Sequence, residues 1–119
     1  MKYIFICAFL LMIQNSYAQK RNAERITNST TSIFFDQTGY RGFKYQNINY
    51  FVDEDLQTVV AMKNGKIIWK RNVVLECEKS KSSKSKIQGL KLHKGLLHAI
   101  YSGNDIWIEL DGSIFICGG

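Results

Sequence analysis

From Ile33 onward the chain never holds an apolar repeat of helical spacing for three turns. β-Branched and aromatic residues recur instead in short runs cut by Gly, Asn and Asp, the pattern of strands joined by tight turns. The clearest unit is the hairpin at residues 58–74, where two apolar runs flank Lys63-Asn64-Gly65-Lys66. Asn-Gly suits a two-residue type I′ turn because both positions need positive φ. A regular register then pairs Met62 with Ile67, Ala61 with Ile68 and Val60 with Trp69. Further strands are expected at residues 32–35, 43–45, 48–52, 87–93, 96–101, 106–110 and 113–117. Their connections at Lys94-Gly95, residues 102–105 and Asp111-Gly112 are short enough to join antiparallel neighbours. The expected fold class is all-β: one small antiparallel β-meander, a sandwich or rolled sheet, of roughly seven to nine strands.

An internal repeat runs through this pattern. Residues 58–70 align without gaps with residues 96–108, and Ala61/Ala99, Gly65/Gly103, Ile68/Ile106 and Trp69/Trp107 are identical. With two residues of slippage, Cys77 and Cys117 also fall in equivalent places. A period of about 38–40 residues with one Trp per unit resembles a β-propeller blade. A closed ring needs roughly four blades, more than this chain can build. The repeat is therefore read as two similar hairpin units in one sheet system, with chance likeness between alternating sequences as the other reading. Around the second unit both sheet faces are apolar: Ala99, Ile106, Ile108 and Leu110 oppose Ile100, Trp107, Ile114 and Ile116. A one-sided sheet alternates more cleanly, so either a second layer covers each face or one face meets a partner. The N-terminal strands are the candidates for that layer. No proline occurs in the chain, which leaves lysines and covering loops to protect the sheet edges, unless the edges pair.

The first 18 residues read as a cleavable signal peptide. Lys2 supplies the positive start, residues 3–13 are apolar, and Ser16 and Ala18 give the small-x-small pattern of a cleavage site after Ala18. A membrane-spanning helix needs roughly 20 apolar residues, so no transmembrane segment is expected after cleavage and the domain is expected to be secreted or periplasmic. Residues 19–32, polar and aperiodic, read as a flexible lead-in, and residues 33–119 as a single domain. Asn28-Ser29-Thr30 matches a glycosylation acceptor. Removal of Cys7 with the signal leaves Cys77 and Cys117, an isolated pair that an oxidising compartment joins as a disulfide. Without Lys2 the remaining chain carries 15 Lys and Arg against 10 Asp and Glu. That excess favours acidic partners: an acidic protein face, an anionic glycan or an envelope surface.

No Ser-His-Asp order, phosphate-cradling loop or metal-ligand spacing is present, so no cofactor, metal or catalytic set is expected. The two histidines are His93 and His98. Alternation puts His98, Ile100, Trp107 and Glu109 on one face. A tight Ser102-Gly103 turn sets His98 opposite Trp107, whereas a four-residue turn sets it opposite Glu109; Lys91 is its expected neighbour on the other side. A His-Glu pair beside a Trp would suit a small hydrolase, although such pairs are more commonly plain cross-strand contacts. Asp53-Glu54-Asp55 offers three carboxylates where calcium needs roughly six to eight oxygens, and reads as a solvated turn. Lys81, Lys84 and Lys86 belong to a Lys-Ser run that reads as a soluble loop or a cationic tracker of anionic glycan or lipid heads. Tyr40, Arg41, Phe43 and Lys44 interleave rings with cations, which suits stacking on sugars or protein hot spots; export makes nucleic acid an unexpected partner. The functional expectation is a small exported, non-catalytic binding domain. The alternatives are a self-associating envelope subunit paired through sheet edges, and the hydrolase centred on His98 and Glu109.

Overall fold

The computed structural model describes residues 25–78, 84–101, 104–113 and 115–117. The expected signal peptide, most of the lead-in, Lys81, Ser102-Gly103 and Ile114 lie outside the described residues.

The chain forms two five-stranded sheets. Strand β1 (Ile26–Thr27) opens the first sheet and β2 (Ser32–Phe34) belongs to the second. After a one-turn helix α1 (Phe35–Thr38), four antiparallel strands follow in the first sheet: β3 (Gly42–Tyr45), β4 (Ile48–Val52), β5 (Thr58–Lys63) and β6 (Lys66–Asn72). Helix α2 (Val73–Glu78) leads across to β7 (Gly89–His93), β8 (Leu96–Tyr101), β9 (Asn104–Ile108) and β10 (Phe115–Cys117) of the second sheet. The strand orders are β1-β3-β4-β5-β6 and β10-β9-β8-β7-β2. Each sheet is thus a four-stranded meander with one N-terminal strand added at its start. Strand β1 adds in parallel to β3, and β2 adds antiparallel to β7.

Tight turns set the registers. Gln46-Asn47, Asn64-Gly65 and Lys94-Gly95 all hold both residues at positive φ, the geometry whose twist matches flanking strands. Between the sheets lies one apolar cluster: Phe43, Tyr50, Val52, Val59 and Ala61 from the first sheet meet Ile33, Leu90, Leu97, Ala99, Ile106 and Ile108 from the second. Helix α2 adds Val73 and Val74, and α1 adds Phe35. The architecture is an all-β sandwich whose second layer is a full meander, not the N-terminal strands alone.

Three sequence expectations are corrected. The hairpin does not run to Val74: Asn72 Oδ1 accepts the Leu75 N–H at 2.9 Å, and the chain turns into α2 at Val73. The strand at residues 32–35 stops at Phe34 because Phe35 starts α1. Within the hairpin, a bulge between Ala61 and Met62 pairs Ala61 with Trp69 and Val60 with Lys70, leaving Ile68 unpaired and exposed. An extra residue on one strand reverses the face of everything beyond it. Trp69 therefore turns inward, where its ring meets Tyr50, and its repeat-mate Trp107 turns outward. The two repeat units lie in facing sheets, so the blade likeness describes each hairpin and not a radial array.

The sheets are tied at one end. Trp69 Nε1 donates to the Leu110 carbonyl at 2.9 Å and Arg71 Nη1 to the Gly112 carbonyl at 2.6 Å. The Trp69 ring lies so close to Gly112 that a Cβ there would stand 2.6 Å from it. Cys77 and Cys117 are disulfide-bonded across the same junction, with Cα atoms 5.6 Å apart.

Candidate functional site

Cross-strand pairing assembles the outer face of the second sheet. Its middle row reads Ser32, Lys91, His98, Trp107, Ile116 from β2 to β10. On one side of it lie Phe34, Gly89, Ile100 and Asp105; on the other, His93 and Leu96, with Glu109 continuing the alternation past β9. Three large apolar side chains stand open here: Phe34 at 44 %, Trp107 at 42 % and Ile116 at 57 % exposure. The Phe34 ring lies beside Gly89, where a Cβ would approach it to 3.1 Å. A glycine there leaves the room that the ring edge occupies.

His98 is the exception on this face, buried to 4 % exposure. Its ring is packed 5.1 Å from that of Trp107 and 5.6 Å, edge-on, from that of His93. The pairing with Trp107 and with Lys91 follows the tight-turn expectation, so Glu109 does not stand directly opposite His98. The acidic neighbour is Asp105 instead, with Oδ2 3.9 Å from Nδ1, beyond hydrogen-bond reach. Nδ1 is buried without a hydrogen-bond partner. Burial pushes the His98 pKa down; Asp105 pulls it up by less, and Lys91 and His93 add to the lowering. The imidazole is therefore neutral at neutral pH.

The other candidates separate. Phe43, expected as a free ring, has no exposure: it pairs with Tyr50 and faces the core, because Lys44 takes the outward position beside it. Arg41 is half-buried, with its guanidinium over the Phe35 ring at 5.3 Å. Tyr40 and Lys44 do come together. With Thr27, Asn28, Ser29 and Asn49 they line an open cavity of about 340 Å³ beside β1. Thr27 Oγ1 and Ser29 Oγ are 2.8 Å apart at its wall. Sequence reading missed this cavity, since nothing local shows that residues 26–29 fold beside β3. Lys84 and Lys86 are exposed. Between and beyond them the chain is pinned by Gln57 Nε2 donating to the Ser85 carbonyl at 3.0 Å and the Ile87 N–H to the Leu56 carbonyl at 2.6 Å.

Asp55 caps a turn: its carboxylate accepts from the Gln57 and Thr58 N–H groups and from Thr58 Oγ1. Among the described residues no group of three His, Cys, Asp or Glu side chains is placed to hold a metal ion, and no helix is long and apolar enough to cross a membrane. Compared with known proteins, the chain matches no family model, no curated protein and no solved structure.

Proposed function

We propose that this chain is a small exported interaction domain that docks a protein partner on the outer face of its second sheet, without catalysis. One observation carries the reading: Phe34, Trp107 and Ile116 present three large apolar surfaces on one face, interspersed with Lys91, His93, Asp105 and Glu109. Exposed aromatic and aliphatic side chains set among charges are what protein interfaces carry. The signal-like N-terminus and the bonded Cys77–Cys117 pair favour an oxidising compartment. The non-catalytic part rests on the two described thiols being consumed by that bond and on His98 being shielded by its neighbours.

Site-specific photo-crosslinking in the native cell tests it. A photoreactive residue at position 116 should give a discrete protein adduct, and one at exposed Lys63, on a turn away from this face, should not. Equal, diffuse labelling from both positions would overturn the reading.

The cavity beside β1 supports a second reading, an acidic saccharide held by the Tyr40 ring and the Lys44 ammonium. Titration with anionic envelope glycans should shift backbone resonances of residues 26–29 and 44, and Tyr40→Ala should abolish the shifts. Unchanged spectra would remove it.

A further inference from the structure

The docking face carries its own complement. Its charges are divided by strand: cationic Lys91 lies on β7, and acidic Asp105 and Glu109 lie on and just beyond β9, on opposite sides of the central strand β8. We infer that the partner is a second copy of this chain, packed face to face about a two-fold axis that runs parallel to β8. This rests on the docking reading above and names its occupant.

A two-fold axis along β8 exchanges β7 with β9 and β2 with β10, and keeps each row opposite itself. The middle row then sets Lys91 of one copy over Trp107 of the other. The acids of the two outer rows, Glu109 and Asp105, flank that contact on either side. A cation over an indole face with carboxylates beside it is favourable on both counts. The same operation places His93 opposite Glu109, and Ile100 opposite its own counterpart. A two-fold axis across the strands does the reverse, setting Lys91 against Lys91 and Asp105 against Glu109. The charge pattern thus selects, of the two in-plane axes, the one parallel to the strands, and either axis gives aligned sheet packing. Because the operator is a two-fold, the patch must be self-complementary, and a face with cations on one flank and acids on the other meets that condition.

The size of the face sets the strength. Five strands at about 4.8 Å spacing and three rows at about 6.8 Å repeat cover roughly 500 Å² per copy, about 1,000 Å² in total. That lies at the lower bound for a specific interface. An interface of that size suits a reversible dimer.

Sedimentation velocity on the purified protein across a concentration series tests this, using two variants. Lys91→Glu leaves each flank acidic, and the double change Asp105→Lys with Glu109→Lys leaves each flank basic. Each variant alone should dimerise at least tenfold more weakly than wild type. Mixed in equal amounts they should recover a dimer, because both contacts across the axis then pair opposite charges. Recovery also shows that both variants are folded. A wild-type protein that stays monomeric into the millimolar range overturns the inference; a discrete crosslink from position 116 to a different protein would then leave the docking reading standing. Dimers unaffected by either variant, as pairing through sheet edges would give, overturn it too, as does a mixture that fails to recover.

Discussion

Replacing Cys77 and Cys117 together by Ala should cost the domain about 4 kcal/mol of stability on the chain-entropy account. The bond closes a separation of 40 residues, and the cost arises because the unlinked denatured chain gains the freedom that the loop removes. The native state has other ties at the same place. Trp69 Nε1 to the Leu110 carbonyl and Arg71 Nη1 to the Gly112 carbonyl bridge the two sheets within the same junction, and β10 keeps its three-residue ladder to β9. Native structure should therefore survive, and the loss should sit in the unfolded ensemble. Cys77 also packs against the core edge, a smaller addition. Against a typical total of about 5–15 kcal/mol, this is a large fraction, equivalent to roughly 20 °C in melting temperature for a domain of this size. Urea unfolding of the oxidised protein and the double variant measures it. The variant should show a lower midpoint and a steeper dependence on denaturant, since an unlinked chain exposes more surface. A loss under about 1 kcal/mol with an unchanged slope would refute the loop-closure argument.

Gly42→Ala should be the most damaging single methyl in the first sheet: its Cβ would meet the Tyr50 carbonyl oxygen and stand 2.5 Å from Phe51 Cα, backbone atoms that cannot swing away. We expect a loss of about 3 kcal/mol by urea midpoint, and a change within about 0.5 kcal/mol would contradict the close approach. Trp69→Phe keeps a ring against Tyr50 but leaves the Leu110 carbonyl without its indole donor. About 1–2 kcal/mol should be lost, whereas Trp107→Phe, with its ring outward, should cost far less. Stability should be flat from about pH 7 to about 9, below the unfolded tyrosine value of about 10 above which buried Tyr50 costs stability, and fall as pH drops below about 6.5, the unfolded histidine value. Burial holds the folded His98 pKa lower, so the unfolded state binds the proton first; His98→Gln should flatten that slope, and an unaltered profile would remove His98 as its source.

Much of the fold was legible because local chemistry wrote it. Asn64-Gly65 and Lys94-Gly95 mark turns by their positive φ, and the runs between them could only be strands. The disulfide followed from compartment and count. What stayed hidden was set at longer range or by one residue. The bulge at Ile68 has no Gly or Pro to announce it, so the repeat suggested equal roles for Trp69 and Trp107. Val73 and Val74 read as the end of the hairpin strand, although Asn72 ahead of them was a usable helix-capping signal. Ile26–Thr27 looked like lead-in because its partner, β3, pairs in parallel across an intervening strand of the other sheet. Phe43 could have been placed correctly: once Lys44 is outward, strand alternation sends Phe43 to the core. The sequence left Trp107 and Glu109 both open as the partner of His98, and the choice, like its proximity to Asp105, needed the register of β8 against β9.

Open apolar side chains occur elsewhere too, at Tyr40, Ile67, Ile68 and Leu75, but on the second sheet's outer face they share the surface with a buried imidazole. On the inner side the large rings are enclosed, and the Trp69 N–H has its carbonyl. On the outer side of the second sheet, Trp107 and Ile116 stand open beside a buried imidazole whose Nδ1 has no partner. His98, Trp107 and Ile116 are consecutive in one row. A sequence shaped by monomer stability alone would lose little by placing Thr or Lys at the exposed positions, since surface substitutions usually change stability by under about 0.5 kcal/mol. An open Trp there is what the docking surface proposed above would account for. One residue of register separates the two outcomes: with the bulge, the repeat's Trp ties the two sheets together; without it, the same Trp stands open on the outer face.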